Sequence, residues 1–224
     1  VLALLVGVAV LFVVPGNRPP ADSEESAVDQ GMRRNLGQVL KSPAALAGLG
    51  VSASLSGGIE SINMVFGVWM EDSFGLKIAA LGGVAIVLGL GDLLGELSSG
   101  VLSDWLGKAR AVRLGMIIMA LSSLLLPVTD NAQWAAIAVM FVFFFGFELA
   151  FVSSISLMTE VLPEARATMM GAFMSAFSVG LMIGALIGPL VYQWGILYNG
   201  LAAAALAGLG MLALEKVRRG VQRD

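Results

Sequence analysis

Four carboxylates lie inside long apolar segments of this sequence: Glu60, Asp92, Glu96 and Glu148. An ionised side chain at mid-depth in hydrocarbon costs about 2.5–3.5 kcal/mol on insertion scales, so acids at such positions mark ion, proton or substrate pathways by default. The chemistry open to them is the reversible binding of a proton or of a cationic group.

Glu60 belongs to a polar stripe on its helix. Ser56, Glu60, Asn63 and Gly67 follow one another at spacings of three or four residues and therefore share one face. One interpretation is a cavity-lining site in which Glu60 binds a proton or a cation. The other is an interhelical hydrogen bond that only holds the helices together.

Asp92 and Glu96 are one helical turn apart, on a face that continues to Asp104. Two carboxylates at this spacing repel each other when both are ionised, and hydrocarbon favours the neutral acid. At least one of them could therefore exchange a proton as the site alternates between dry and wet. Alternatively, Glu96 lies close enough to the membrane surface to reach Lys108 or Arg110.

Glu148 has aromatic neighbours, because Phe144 and Phe151 share its helix face. An acid next to aromatic rings suits a lipophilic cation. The alternative is that these rings face lipid.

Composition restricts the class of protein to which these acids belong. Hydrophobic residues make up 58% of the 224 and charged residues 13%, with a mean hydropathy of +0.89, far from the soluble average. The net charge of −3 gives no basic surface for nucleic acid. Cysteine and histidine are both missing from the sequence, so we expect no thiol chemistry, no thiolate or imidazole metal site and no cofactor. An all-α, polytopic membrane bundle follows.

Six apolar segments are each long enough to cross about 30 Å of hydrocarbon. They cover residues 43–70, 76–102, 112–129, 133–158, 168–190 and 194–214. The segment 168–190 also carries a ladder of small residues at a spacing of four, which favours close helix contact, either against another half of the protein or within this one. Its members are Ala172, Ala176, Gly180, Gly184 and Gly188.

The positive-inside rule gives the orientation. If residues 16–42 are cytoplasmic, the turns near 103–112 and 159–167 and the tail after 214 lie on the same side. That side then holds twelve of the thirteen bases, and the opposite side holds Lys77 alone. The bases on the cytoplasmic side are Arg18, Arg33, Arg34, Lys41, Lys108, Arg110, Arg113, Arg166, Lys216, Arg218, Arg219 and Arg223.

The chain is expected to begin inside a helix. Residues 1–15 are apolar but too few to span, so we interpret them as the end of a truncated transmembrane helix. Residues 16–42 are polar and predict a cytoplasmic linker, with a short interfacial helix near 32–40. Residues 43–214 form the six-helix unit, and residues 215–224 are a basic cytoplasmic tail.

The turn at 95–113, GELSSGVLSDWLGKARAVR, resembles the glycine–aspartate–glycine–basic loop signature of the major facilitator superfamily of secondary transporters. The matching residues are Gly100, Asp104, Gly107, Lys108 and Arg110. A second resemblance to this family lies at Glu160–Thr168, EVLPEARAT, where Glu160 and Arg166 suggest an ion-pair network with the loop. The aspartate could instead be a simple N-cap.

The resemblance implies a fold and a partner. Members of the superfamily contain inverted three-helix repeats, which would make the spans of Glu60 and Glu148 equivalent and would place both acids around a central cavity. The six spans would form the C-terminal half, with the N-terminal half of the same protein missing. The loop would latch one conformational state against that other half.

The leading hypothesis is a proton-coupled exporter of small organic molecules, close to the drug and sugar efflux branch of antiporters, in the inner (plasma) membrane of a bacterium. Its partners would be the lipid bilayer, its substrate and protons, with no nucleic acid. The substrate and proton candidates are Ser56, Glu60, Asn63, Asp92, Phe144 and Glu148. The alternatives are an uncoupled facilitator, a non-transporting sensor or scaffold, and a membrane enzyme limited to carboxylate chemistry, although we expect no catalytic residues and no metal site.

Overall fold

The computed structural model describes residues 22–129 and 132–221. The chain divides into two units, residues 1–35 and 36–224, and the bundle described below belongs to the second. Its long helices, in chain order, are α1 (Asp22–Lys41, which begins in the first unit), α2 (Pro43–Phe74), α3 (Ile78–Leu106), α4 (Lys108–Leu125), α5 (Gln133–Val161), α6 (Arg166–Tyr192) and α7 (Ile196–Val221). Short 3-10 turns at Leu126–Thr129 and Pro163–Ala165 follow α4 and precede α6.

Helices α2 to α7 are long and apolar enough to cross a membrane, which confirms the six predicted spans and the all-α class. Several helices extend past the predicted limits. α2 ends at Phe74 rather than residue 70, and α7 ends at Val221 rather than 214. The extensions carry charged residues such as Glu71 and Lys216, because helical hydrogen bonding continues where the chain leaves the apolar layer.

The six helices pack as two inverted repeats, α2–α4 and α5–α7. Helix α2 packs mainly on α6 and α7, and α5 packs mainly on α3 and α4. If the two repeats are exchanged, α2 corresponds to α5, α3 to α6 and α4 to α7. The contacts of α2 with α6 and α7 then correspond to the contacts of α5 with α3 and α4. The α4–α7 and α2–α5 contacts each correspond to themselves. Because each repeat has three spans, the second enters the membrane from the opposite side. The predicted 3+3 repeat is confirmed.

The residues before the bundle differ from the expectation of a linker with a short helix near 32–40. A single helix, α1, runs from Asp22 to Lys41. This helix is longer than predicted. Its dipole is complemented by acids at its start (Asp22, Glu24 and Glu25) and by a base at its end (Lys41). The segment predicted to be a truncated span, residues 1–15, lies outside the described residues.

The turn between α3 and α4 is a single residue, Gly107, with φ of 87°. Only glycine adopts this conformation without strain, so one residue is enough to reverse the chain. The equivalent turn of the second repeat, between α6 and α7, also contains a positive-φ glycine, Gly195, with φ of 101°.

Replacing Gly107 by alanine is expected to cost about 1–3 kcal/mol of stability, because the new Cβ is forced into a left-handed conformation. Thermal unfolding of the purified protein in detergent measures the effect. The matched control is Gly208→Ala in α7, where a Cβ would meet nothing within 4 Å. Equal melting temperatures for the two variants would contradict the strain argument.

Candidate functional site

Helices α3 and α5 touch at Gly91 and Gly95, and this contact carries three of the four acids. A Cβ at Gly95 would lie 2.6 Å from Phe145 O and 3.0 Å from Glu148 Cβ. A Cβ at Gly91 would lie 2.8 Å from Phe141 O. The absence of side chains at both positions lets the two backbones approach closely, as small residues do between membrane helices.

This contact brings Glu148 close to the two acids of α3, because Gly95, which abuts Glu148 Cβ, lies next to Glu96 and three residues after Asp92. Asp92 and Glu148 are half-buried, whereas Glu96 is exposed. Asp92 Oδ1 is buried and, within the described residues, has no hydrogen-bond partner. No lysine or arginine occurs in α3 or α5, so neither helix supplies a countercharge to this carboxylate cluster of Asp92, Glu96 and Glu148. In the described residues no group of acids is arranged to hold a metal ion.

Glu60 occupies the corresponding contact between α2 and α6. A Cβ at Gly184 would lie 2.5 Å from Gly57 O and 2.8 Å from Glu60 Cβ. The carboxylate accepts a hydrogen bond from Asn63 Nδ2 at 3.3 Å. Ser56 is buried and donates to the carbonyls of its own helix, to Ser52 O at 3.0 Å, so its hydroxyl is occupied by backbone.

The contacts Glu60–Gly184 and Glu148–Gly95 are equivalent by the internal repeat. Corresponding residues are 88 or 89 positions apart in the sequence (60 and 148, 95 and 184). In both contacts the glycine abuts the Cβ of the glutamate and the carbonyl oxygen of the residue three positions before that glutamate. The counterparts of Asp92 and Glu96 on α6 are Leu181 and Ala185. The repeat therefore supplies two glutamates, but the additional carboxylates accompany Glu148 alone.

Aromatic rings next to Glu148 pack inside the bundle. Phe151 stacks on Phe147 at 5.7 Å between ring centroids and lies 4.6 Å from Phe177 of α6. Phe144 is half-buried and meets Phe143 edge-on at 5.8 Å. The rings that share Glu148's face thus contact other rings within the protein.

The loop residues form the predicted ion pair in part. Lys108 Nζ lies 2.5 Å from Glu160 Oε1 and 3.3 Å from Ser156 O, so Lys108 pairs with Glu160 rather than with Glu96. Such exposed pairs are worth about 0–1 kcal/mol. Arg166 Nε instead donates to Thr159 O at 3.2 Å, so in the described residues it is recorded with this backbone carbonyl rather than with Glu160.

The N-cap interpretation of Asp104 is wrong. Helix α3 continues through Asp104 to Leu106, and the residue that caps α4 is Gly107, without a side-chain hydrogen bond. Because Gly107 adopts a positive φ, one residue reverses the chain between α3 and α4, and no longer polar turn that Asp104 could cap is formed. Asp104, Gly100 and Arg110 are all exposed at this end of the bundle.

The small-residue ladder of α6 packs within these six helices. Gly180, Gly184 and Gly188 face the α2 backbone, where added Cβ atoms would collide with the carbonyls of Ala53, Gly57 and Ser61 respectively. For these three glycines the within-bundle alternative is confirmed.

Sequence reasoning missed Asn199, a fully buried residue of α7. Its Nδ2 donates to Ser61 O of α2 at 2.8 Å and to Gly188 O of α6 at 2.9 Å. A lone amide in an apolar membrane helix is a signal for interhelical hydrogen bonding and could have identified it.

Comparison with known proteins gives two results. A family model described as Major Facilitator Superfamily matches residues 1–175 and, in a second overlapping match, residues 49–223. The chain is also 29% identical over 103 residues to an uncharacterized MFS-type transporter, YceJ, of Bacillus subtilis (strain 168). That match covers 46% of this chain and 26% of the relative, so the similar region is about a quarter of the relative's length.

Proposed function

This chain belongs to the Major Facilitator Superfamily, and from that premise we propose that it takes part in proton-coupled export of a small organic molecule by alternating access. It is an integral, multi-pass membrane protein. The single observation that supports coupling is the carboxylate cluster at the α3–α5 contact, where Asp92 and Glu148 are half-buried close to each other, with the exposed Glu96 beside them, and neither helix carries a base.

The physics of the cluster favours exchange between a proton and a cation. Two neighbouring carboxylates retain one proton between them, because losing it leaves two negative charges close together in a medium of low dielectric constant. A bound cation neutralises the same charges, so the cation and the proton compete for one site. Competition of this kind is what antiport requires.

We assign different roles to the two repeats. Glu148 and Asp92 exchange the proton, because only their contact has additional acids. Glu60, with Asn63, faces the substrate from the other repeat, and Phe144 offers an aromatic surface to a lipophilic cation. Phe151, on the same helix face, already packs on rings of the bundle.

We further propose that the six helices are one half of the transporter and that a preceding half forms the other wall of the pathway. The apolar faces of α3 and α6 support this, since these two spans are the least buried of the six. In this arrangement the exposed face of Gly100, Asp104 and Arg110 meets the other half. The loops that carry most of the bases then lie in the cytoplasm of a bacterial cell.

The test is transport by the full-length protein reconstituted in liposomes, with tetraphenylphosphonium as the lipophilic cation. We expect an imposed pH gradient to drive its movement against its own gradient, and a protonophore to abolish that movement. Movement down the cation gradient alone, indifferent to pH, would favour the uncoupled facilitator. Because tetraphenylphosphonium also crosses lipid unaided, rates are compared with those in protein-free liposomes. No movement beyond that background, under a pH gradient or down its own gradient, would contradict export of lipophilic cations and favour the sensor or scaffold.

A further inference from the structure

Asn199 joins three helices at one buried point. From α7 its Nδ2 donates to the backbone of α2 at Ser61 and to the backbone of α6 at Gly188. Gly188 makes this junction possible, because a Cβ there would lie 2.6 Å from Ser61 O. The amide thus fixes the separation of α2 and α6 at this level.

The junction lies directly next to Glu60. Ser61 is the following residue of α2, and Gly188 is one turn beyond Gly184, the residue of α6 that abuts Glu60 Cβ. A change in the α2–α6 separation at Asn199 therefore changes the space around the Glu60 carboxylate.

The hydrogen bonding of Asn199 is incomplete. Its Oδ1 is buried and has no partner among the described residues. Leaving a buried acceptor without a hydrogen bond destabilises the fold, so an amide that served only to hold helices together would be a poor choice here. Buried polar atoms that lack a hydrogen-bond partner occur mainly at functional sites.

We propose that Asn199 is a positioning residue for Glu60: by holding α6 against α2 it keeps water away from one side of the Glu60 carboxylate. The inference rests on the proposed role of Glu60 in binding substrate. The other repeat lacks this hydrogen-bonded junction, because the position equivalent to Asn199 is Ala111. Its glutamate, Glu148, lies next to Asp92 and Glu96 instead.

Few charged groups face Glu60 from the helices around it. Helix α6 carries none between Arg166 and Tyr192, and α7 has none between Tyr198 and Glu215. The charged residues of helix α5 are Glu148 and Glu160. Leu81 of α3 meets α2 near Gly67, and the mid-span acids of α3 lie against Glu148. A change caused at Asn199 is thus expected to act on Glu60 through hydration.

The experiment is labelling of the full-length protein in membranes with dicyclohexylcarbodiimide, which modifies protonated carboxyl groups in apolar surroundings, followed by peptide mass spectrometry. We expect Asn199→Ala to lower the labelling rate of Glu60 by roughly threefold or more at fixed pH, because water that enters beside the carboxylate disfavours the neutral acid. Labelling of Glu148 in the same molecules is the internal control and should not change. Asn199→Ser, which keeps one donor, should lie between wild type and alanine and serves if the alanine variant folds poorly.

Three results would overturn the inference. They are an unchanged Glu60 rate, an equal fall at Glu60 and Glu148, which indicates general loosening of the bundle, and no labelling of Glu60 in the wild type at any pH. Because labelling does not depend on transport, failure of the proposed transport function would leave this result readable on its own.

Discussion

Replacing Glu148 by glutamine is expected to lower pH-driven transport at least about tenfold, equivalent to about 1.4 kcal/mol in the barrier. Glutamine keeps the size of the side chain and its packing next to Gly95 but cannot bind and release a proton. Asp92 and Glu96 would remain, but Glu96 is exposed, so Asp92 loses the half-buried carboxylate with which it would share a proton. The measurement is uptake of tetraphenylphosphonium into inverted vesicles at a fixed pH gradient.

The same substitution elsewhere provides the controls. Glu164→Gln changes an exposed acid in the short turn before α6 and should leave transport unchanged. Glu60→Gln, in the other repeat, should weaken cation binding and leave the response to the pH gradient. Wild-type coupling in Glu148→Gln would remove the proton role of the carboxylate cluster and leave the fold unaffected.

Replacing Gly95 by valine is expected to destabilise the bundle by about 1–3 kcal/mol, as overpacking of a tight contact does. The added Cβ would lie 2.6 Å from Phe145 O, and this atom belongs to the backbone, so the whole of α5 must shift. We expect a lower melting temperature in detergent and loss of monodisperse protein. Gly184→Val should behave alike, because Gly184 makes the equivalent contact in the second repeat.

Gly89→Val is the matched control on the same helix. A Cβ at Gly89 would meet nothing within 4 Å among the described residues, so the substitution forces no shift of a neighbouring helix in this bundle. If Gly89→Val and Gly95→Val melted at the same temperature, the close approach of α3 and α5 would not be a source of stability.

The fold was predictable because membrane helices are specified by length and hydropathy, both of which are read directly along the chain. The spans followed from these two properties. The inverted repeat, and with it the equivalence of the spans that carry Glu60 and Glu148, was implied by the resemblance to the superfamily and is present in the helix packing. The matching glycines at 95 and 184 show which residues of the two repeats correspond. This correspondence between residues of the two repeats can be recognised in the sequence only when it is known which helices pack together.

The periodicity of the sequence does not reveal which helices pack against each other. The sequence places Ser56 on a polar face with Glu60, but the structure occupies its hydroxyl with backbone carbonyls. It places Asp92 and Glu96 on one face, but not next to Glu148, which comes from a helix about fifty residues away. The one-residue turn at Gly107 depends on a single dihedral angle, which composition does not reveal.

The central claim, that water reaches the carboxylate cluster, is tested most directly by thiol accessibility. These 224 residues contain no cysteine, so each variant carries one thiol in this region. Glu148→Cys is compared with Val142→Cys, an exposed position on the same helix that lines an apolar groove between α4 and α5. A charged methanethiosulfonate reagent reacts with the thiolate and so requires water. The account predicts rapid modification at position 148 and slow modification at 142; slow modification at 148, or equal rates at both positions, would contradict it.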